Sequence, residues 1–386
     1  MTERITEKIW ANSADSHFLE PDDLWRSNAP ASVADLMPRS EKDPDGTWET
    51  LHIEGRSFRR RLPTGTNQEF RVSTWKAAGA RDPYLRLKDL DGEGVWAEVI
   101  YPSLGMWNAS FRSPELLREA IRISNDWVAD TVLRASPRLL PTAQLPLLVV
   151  GDAVTELQRA ASMGFVAAFL TTSPHPQQED YHRDVWEPLW AAAEEAGMVL
   201  AFHIGSDPLD LEKGQLAAAT FRGPGSAVLN YAETTFSGQR AAMKLVASGA
   251  LDRHPDLRVL ISEGGAGWVP FMADRMEEGY RQHSMVVRPK LSRSPREILY
   301  SQVYVSFQHD VSGVTAMTAS GYRNVAWGSD YPHHEGTFGH TQEVLHGLFD
   351  DVDPSVRRRI TVDAFQELFP TVAPAPIDAD GRLVAA

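Results

Sequence analysis

Short apolar runs alternate with amphipathic stretches along most of the chain. Eight runs stand out: Ile9–Ala14, Val95–Tyr101, Leu139–Leu145, Phe165–Thr171, Met198–His203, Leu257–Ser262, Gln302–Phe307 and Asn324–Gly328. Short apolar runs alternating with helical patterns are the signature of βαβ units. Between them, 114–135, 152–163, 185–196, 239–248, 268–280, 314–319 and 341–349 space their apolar residues for one helix face. Asp152 is placed as an N-cap, and Gly164 and Gly197 as stops. Eight strands, most trailed by a helix, predict a (β/α)₈ barrel. A doubly wound sheet is the alternative, but no GxGxxG or P-loop pattern supports it.

One interval breaks the repeat. Residues 26–92 are far longer than an ordinary strand-to-helix connection. They are rich in Arg, Pro and Gly, with Phe58-Arg59-Arg60-Arg61 and then Arg71. The expectation is one barrel over 1–370, with 26–92 inserted as a lid over its mouth and 371–386 a loose tail. Arg59–Arg61 read either as a solvated face or as a clamp for an anionic group on a small-molecule substrate.

Composition narrows the chemistry. There is no cysteine among the 386 residues, so any metal must be held by His and carboxylates. A formal charge of −14 argues against nucleic acid or an anionic membrane as partner. Met1–Lys8 has no apolar segment. The stretch Leu139–Val150, broken by Pro141 and Pro146, is far short of the ~20 residues of a membrane span. A cytoplasmic enzyme is the expectation.

In such barrels the reactive groups sit at the C-terminal strand ends. Asp15 and His17 follow the first run, at the i, i+2 spacing that puts both on one side. His203 ends the fifth run, Glu263 follows the sixth, His309 and Asp310 the seventh, and Asp330 the eighth with His333 and His334 close behind. Such donors suit Zn, Mn or Fe. Crowding them around one mouth without a cation would be costly. Glu20 is placed either to orient a ligating His or to cap the next helix, and His309 as a ligand or substrate contact.

The motifs Asp15-Ser-His17-Phe-Leu-Glu20-Pro, His203-Ile-Gly, Glu263-Gly-Gly-Ala-Gly-Trp-Val-Pro and Gly328-Ser-Asp330-Tyr-Pro-His-His-Glu-Gly resemble the amidohydrolase-related metal-dependent barrels. The branch is the one that includes aminocarboxymuconate semialdehyde decarboxylase. The resemblance implies a metal held by Asp15, His17, His203 and Asp330, used to activate water or bind a substrate carboxylate; a homodimer is the common assembly of such barrels. The sixth-strand position departs from the decarboxylases, which commonly carry His-Gly-Gly where this chain has Glu263. A carboxylate there is a good bridging ligand, so the pattern also resembles the non-haem dinuclear iron monooxygenases built on the same fold.

Three readings follow. The first choice is two irons held by Asp15, His17, His203, Glu263, Asp330 and His334, with Glu263 bridging and O2 activated to hydroxylate a substrate carbon. The alternative is a single Zn or Mn on Asp15, His17, His203 and Asp330 in a hydrolase or non-oxidative decarboxylase, with Asp330 or Glu263 handling the proton. The third is a catalytically silent partner subunit.

Overall fold

The alternation of runs becomes a ring of parallel strands in the computed structural model, which describes residues 8–61, 77–208 and 221–376. The strands are β1 (Ala11–Ser13), β2 (His17–Phe18), β3 (Arg39–Lys42), β4 (Trp48–Ile53), β5 (Arg56–Arg61), β6 (Val95–Pro102), β7 (Leu139–Pro141), β8 (Ala143–Gln144), β9 (Ala167–Thr171), β10 (Val199–His203), β11 (Val259–Ser262), β12 (Val303–Phe307) and β13 (Val325–Trp327). β6 pairs with β1, β2 and β7, and a second parallel sheet runs β13-β12-β11-β10-β9-β8. β7 and β8 are one predicted run interrupted at Thr142. The ring closes where Ala14 N donates to Trp327 O at 2.9 Å and Ser16 bridges Tyr331.

Strand periodicity decides which side chains face the barrel axis. Val199 and Ala201 join Ala97, Val99, Ala167, Phe169, Leu260, Tyr304 and Ala326 in one core inside the ring. Leu200, Phe202, Ile261, Val305 and Trp327 face outward into a second core shared with the helices. His203 continues the inward series Val199, Ala201, His203, so the same alternation that builds the core delivers an imidazole to the mouth. Phe365, Phe369 and Val372 join the inner core.

Some boundaries differ from expectation. Helix Val150–Met163 begins before Asp152, and Val149 stands at its N-cap position with no side-chain cap. Helix Ser226–Ala247 starts thirteen positions before the amphipathic stretch at 239, because its first turns are exposed and carry no buried face. The expected loose tail is docked at its start: Val372 is buried, and the Trp96 indole donates to Ala373 O at 2.7 Å.

Within residues 26–92, β3, β4 and β5 form an antiparallel sheet. Leu51, Ile53 and Phe58 pack with Trp25, Leu117 and Ile121, the last two on helix Pro114–Val128. Helix Pro83–Glu93, capped by Asp82, then leads into β6. Arg71 and the far end of the tail lie outside the described residues.

Candidate metal centre

Four side chains meet at the mouth. One donor atom from each of Asp15, His17, His203 and Asp330 lies within 4.8 Å of the others, and all four residues are buried. His17 Nε2 stands 3.0 Å from His203 Nε2 and 3.5 Å from Asp330 Oδ1. His203 Nε2 stands 3.3 Å from Asp15 Oδ1.

The second ring nitrogens fix the orientation. His17 Nδ1 donates to Pro102 O at 3.1 Å and His203 Nδ1 to Ile204 O at 2.7 Å. A carbonyl only accepts, so both protons of the neutral tautomers are on Nδ1 and both Nε2 lone pairs face the centre, as metal-binding imidazoles require. Both oxygens of Asp15 and both of Asp330 are buried without a well-formed hydrogen bond. Four such oxygens cannot be left uncompensated cheaply, and a hard or borderline divalent cation fits this donor set.

The electrostatics agree. Burial, then the charge of Asp15, pushes the Asp330 carboxyl well above its ordinary range. Burial, with Asp330 next, does the same to Glu263. Burial, reinforced by His333 and His203, pushes His17 well down. Burial would also lower His203, but Asp15 and Glu263 outweigh it and hold this ring up at about 9. Carboxylates this crowded must take up protons or face a cation.

Both strand-end acids sit on unusual backbone. Glu263 has φ 59° and Asp330 has φ 53°, the left-handed region that non-glycine residues seldom adopt. Close approach also sets Gly328, where a Cβ would lie 2.7 Å from Asp15 Cβ.

The remaining candidates separate. Glu263 Oε2 is 3.7 Å from His203 Nε2, beside the four-residue group rather than in it. The glycine-rich loop that follows is tied elsewhere: Glu263 N donates to Ser306 Oγ and Gly265 N to Ser306 O. His334, expected in the ligand set, is instead more than half exposed, with Nδ1 2.6 Å from Glu335 Oε2. The turn made by His333 N donating to Asp330 O brings His333 back instead. Its ring stacks on His17 at 3.9 Å, with Nδ1 2.9 Å from Asp330 Oδ1. The three-residue step from Asp330 was the available signal for this choice. His309 is exposed at the rim and donates through Nε2 to Glu335 O at 3.0 Å. Glu20 acts at the start of the short 3-10 helix Leu104–Ser110 rather than on the next helix in sequence, Leu24–Asn28. Its carboxylate accepts N–H bonds from Ser103, Leu104 and Gly105, fixing the loop whose Pro102 carbonyl aligns His17.

Two more residues lie nearby: Tyr101, which no sequence motif marked, and Arg60 of the Arg59–Arg61 run. Tyr101 sets its ring edge-on to His203 at 4.9 Å and bonds Ser262 Oγ at 2.5 Å. Arg60 pairs with the buried Glu49 at 2.6 Å and lies over Trp107 at 5.1 Å. Beside it in the sheet, Arg59 is exposed and pairs with Asp43.

Comparison with known proteins follows the same lines. Residues 35–370 match the amidohydrolase family model, a span that begins after Asp15 and His17. A γ-resorcylate decarboxylase of Rhizobium radiobacter is 27% identical over 204 residues, half of this chain and 58% of the relative's length. Among solved structures, an amidohydrolase of Mycobacterium avium subsp. paratuberculosis K-10 superposes with a TM-score of 0.75 at 18% identity, over 93% of this chain and 97% of the other. A dihydroxybenzoic acid decarboxylase of Polaromonas sp. JS666, solved with manganese and 2-nitroresorcinol, gives 0.61 at 17% identity, over 94% and 97%. At these identities the superpositions speak for the fold, and the model match across most of the chain places it in the amidohydrolase family.

Proposed function

We propose that this chain is a metal-dependent, non-oxidative decarboxylase of a small aromatic carboxylate, with one divalent cation held by Asp15, His17, His203 and Asp330. The observation that carries the reading is the pair of imidazole Nε2 atoms facing each other at 3.0 Å between two unsatisfied carboxylates. Four donors suit one ion. The two-iron oxygenase expected first from sequence has less behind it, because His334 points away and Glu263 stands outside the group. The similar curated sequence is a decarboxylase.

A cation here would supply the positive charge that draws a carboxylate and an adjacent phenolate to the mouth. The protein's own groups do the rest. Pro102 and Ile204 hold the two imidazoles in one tautomer. A small cavity lined in part by Asn108, Gln144, Phe169, Thr171 and His175 borders β9, whose Thr171 is the strand partner of His203. Arg60 adds a cationic pole: burial lowers His333, and the Arg60 charge adds to that lowering.

Decarboxylation needs a proton delivered to the ring carbon that bears the carboxylate. The C–C bond then breaks, CO2 leaves, and the electron pair restores the aromatic ring. Glu263, whose carboxyl is pushed up by burial and then by Asp330, is the proposed donor and is recharged from solvent, so one proton is consumed per turnover.

The test uses metal-depleted protein reloaded with Mn or Zn and offered 2,6-dihydroxybenzoate and related hydroxybenzoates. CO2 release should need about one ion per chain and be equal under argon and in air. Glu263→Gln should keep the ion and lose about 100-fold or more in turnover. O2 consumption coupled to two bound irons would replace this reading with the oxygenase.

A further inference from the structure

Helix Pro83–Glu93, the last element of the insertion, sends Arg86 inward, where it is fully buried. Across from it on β6 is Glu98, equally buried. The guanidinium meets this carboxylate in a fork, Nε to Oε1 and Nη2 to Oε2 at 3.1 Å. A lysine could balance the same charge. What it could not do is use the remaining donors of the fork. Nη1 donates to the carbonyl of His17 at 2.8 Å, and Nη2 donates to the carbonyl of Tyr331 at 3.3 Å. The guanidinium also lies 4.5 Å over the Tyr331 ring, whose hydroxyl donates to Asp89 Oδ2 at 2.7 Å one turn further along the same helix.

The two carbonyls gathered on Arg86 are significant for what they adjoin. His17 supplies one donor to the cluster, and Tyr331 follows Asp330, which supplies another. They come from opposite sides of the seam where the first and last strands meet. That seam is otherwise tied there by main-chain bonds, His17 N to Tyr331 O at 2.6 Å and Asp330 N to Asp15 O at 2.9 Å. One planar, fully buried cation thus spans the joint across which His17 and Asp330 face each other.

We infer that Arg86 is a positioning residue for the metal centre: by holding the His17 and Tyr331 carbonyls on one guanidinium, it sets the spacing of the His17 and Asp330 donors. This rests on the proposed reading that these residues bind a divalent ion. Donor geometry controls metal affinity, and outer partners of ligands commonly carry about 10–100-fold of it.

Metal-depleted protein is titrated with Mn2+ and binding is read from the loss of the free-ion EPR signal, with thermal unfolding of each metal-free variant alongside. Two variants are compared with wild type. Arg86→Lys keeps a charge opposite Glu98 but not the fork; the double variant Arg86→Met with Glu98→Gln removes both charges together, so no lone charge is left buried. The expected result is cooperative unfolding of the metal-free variants and a dissociation constant raised about ten-fold or more in both. A smaller change in either folded variant overturns the inference. Failure of both to fold overturns it too, because Arg86 would then be structural. Wild-type protein that binds no Mn2+ instead defeats the metal reading itself, so the two failures are distinct.

Discussion

His17 and His203 meet Nε2 to Nε2 at 3.0 Å, each with its other nitrogen committed to a main-chain carbonyl. Two lone pairs so placed need a positive charge between them. In metal-free protein a proton can serve. Asp15 and Glu263 outweigh burial and hold His203 up at about 9, and its Nε2–H can then donate to the neutral His17.

A metal ion must displace that proton. Below pH 9 the proton competes, so Mn2+ binding is expected to tighten as pH rises from 6 toward 9 and to level off above. In weakly buffered solution at pH 7, binding should release protons, measurable with an indicator dye or by calorimetry in buffers of different ionisation enthalpy. Affinity that stays constant between pH 7 and 9 would mean that His203 does not exchange a proton for the ion.

Asp330 gives a prediction with two opposite signs. Its carboxyl is pushed up by burial and by Asp15, so at pH 7 the metal-free fold opposes an ionisation that the unfolded chain allows. Asp330→Asn removes that opposition, and asparagine tolerates the left-handed φ of 53°. Metal-free Asp330→Asn should therefore unfold at a higher temperature than metal-free wild type, while the stabilisation gained on adding Mn2+ disappears. A variant destabilised without metal and still stabilised by it would contradict both the charge argument and the ligand role.

Gly328 is predicted to be intolerant for a steric reason. A methyl group there would sit 2.7 Å from Asp15 Cβ, with the Asp15 amide nitrogen at 3.3 Å. Gly328→Ala should displace Asp15, cost about 1–3 kcal/mol in chemical denaturation, and weaken metal binding. Wild-type affinity in this variant would show that Asp15 can shift without consequence.

Much of this was legible in the sequence, and the exceptions have physical causes. The eight runs become strands because parallel strands buried on both faces read as continuous apolar segments. The pair Asp15 and His17 and the residues His203 and Asp330 were legible because strand ends are where periodicity hands over to chemistry. The sheet β3–β4–β5 was missed because its alternation carries charge on the buried side: Glu49 is 2% exposed and held by Ser40 and Arg60. Which of His333 and His334 lies beside Asp330 is not legible in the sequence, because a turn, not a strand or helix period, brings the His333 ring back. Arg86 was invisible for another reason. A charged residue on an amphipathic helix normally faces water, and its partner Glu98 lies on the next strand, within a run that reads as apolar.

The left-handed backbone at Glu263 and Asp330 carries an evolutionary consequence. Each such residue costs on the order of 1–3 kcal/mol, and glycine or asparagine would relieve much of it. With Asp330 as a ligand and Glu263 as the proton donor, their identities are maintained by selection on turnover against a steady pull from folding. A library of this gene sorted only for heat resistance, in medium depleted of divalent metals, would be expected to drift first at these two codons. Sorted in metal-replete medium, the same library should keep Asp330 and still lose Glu263.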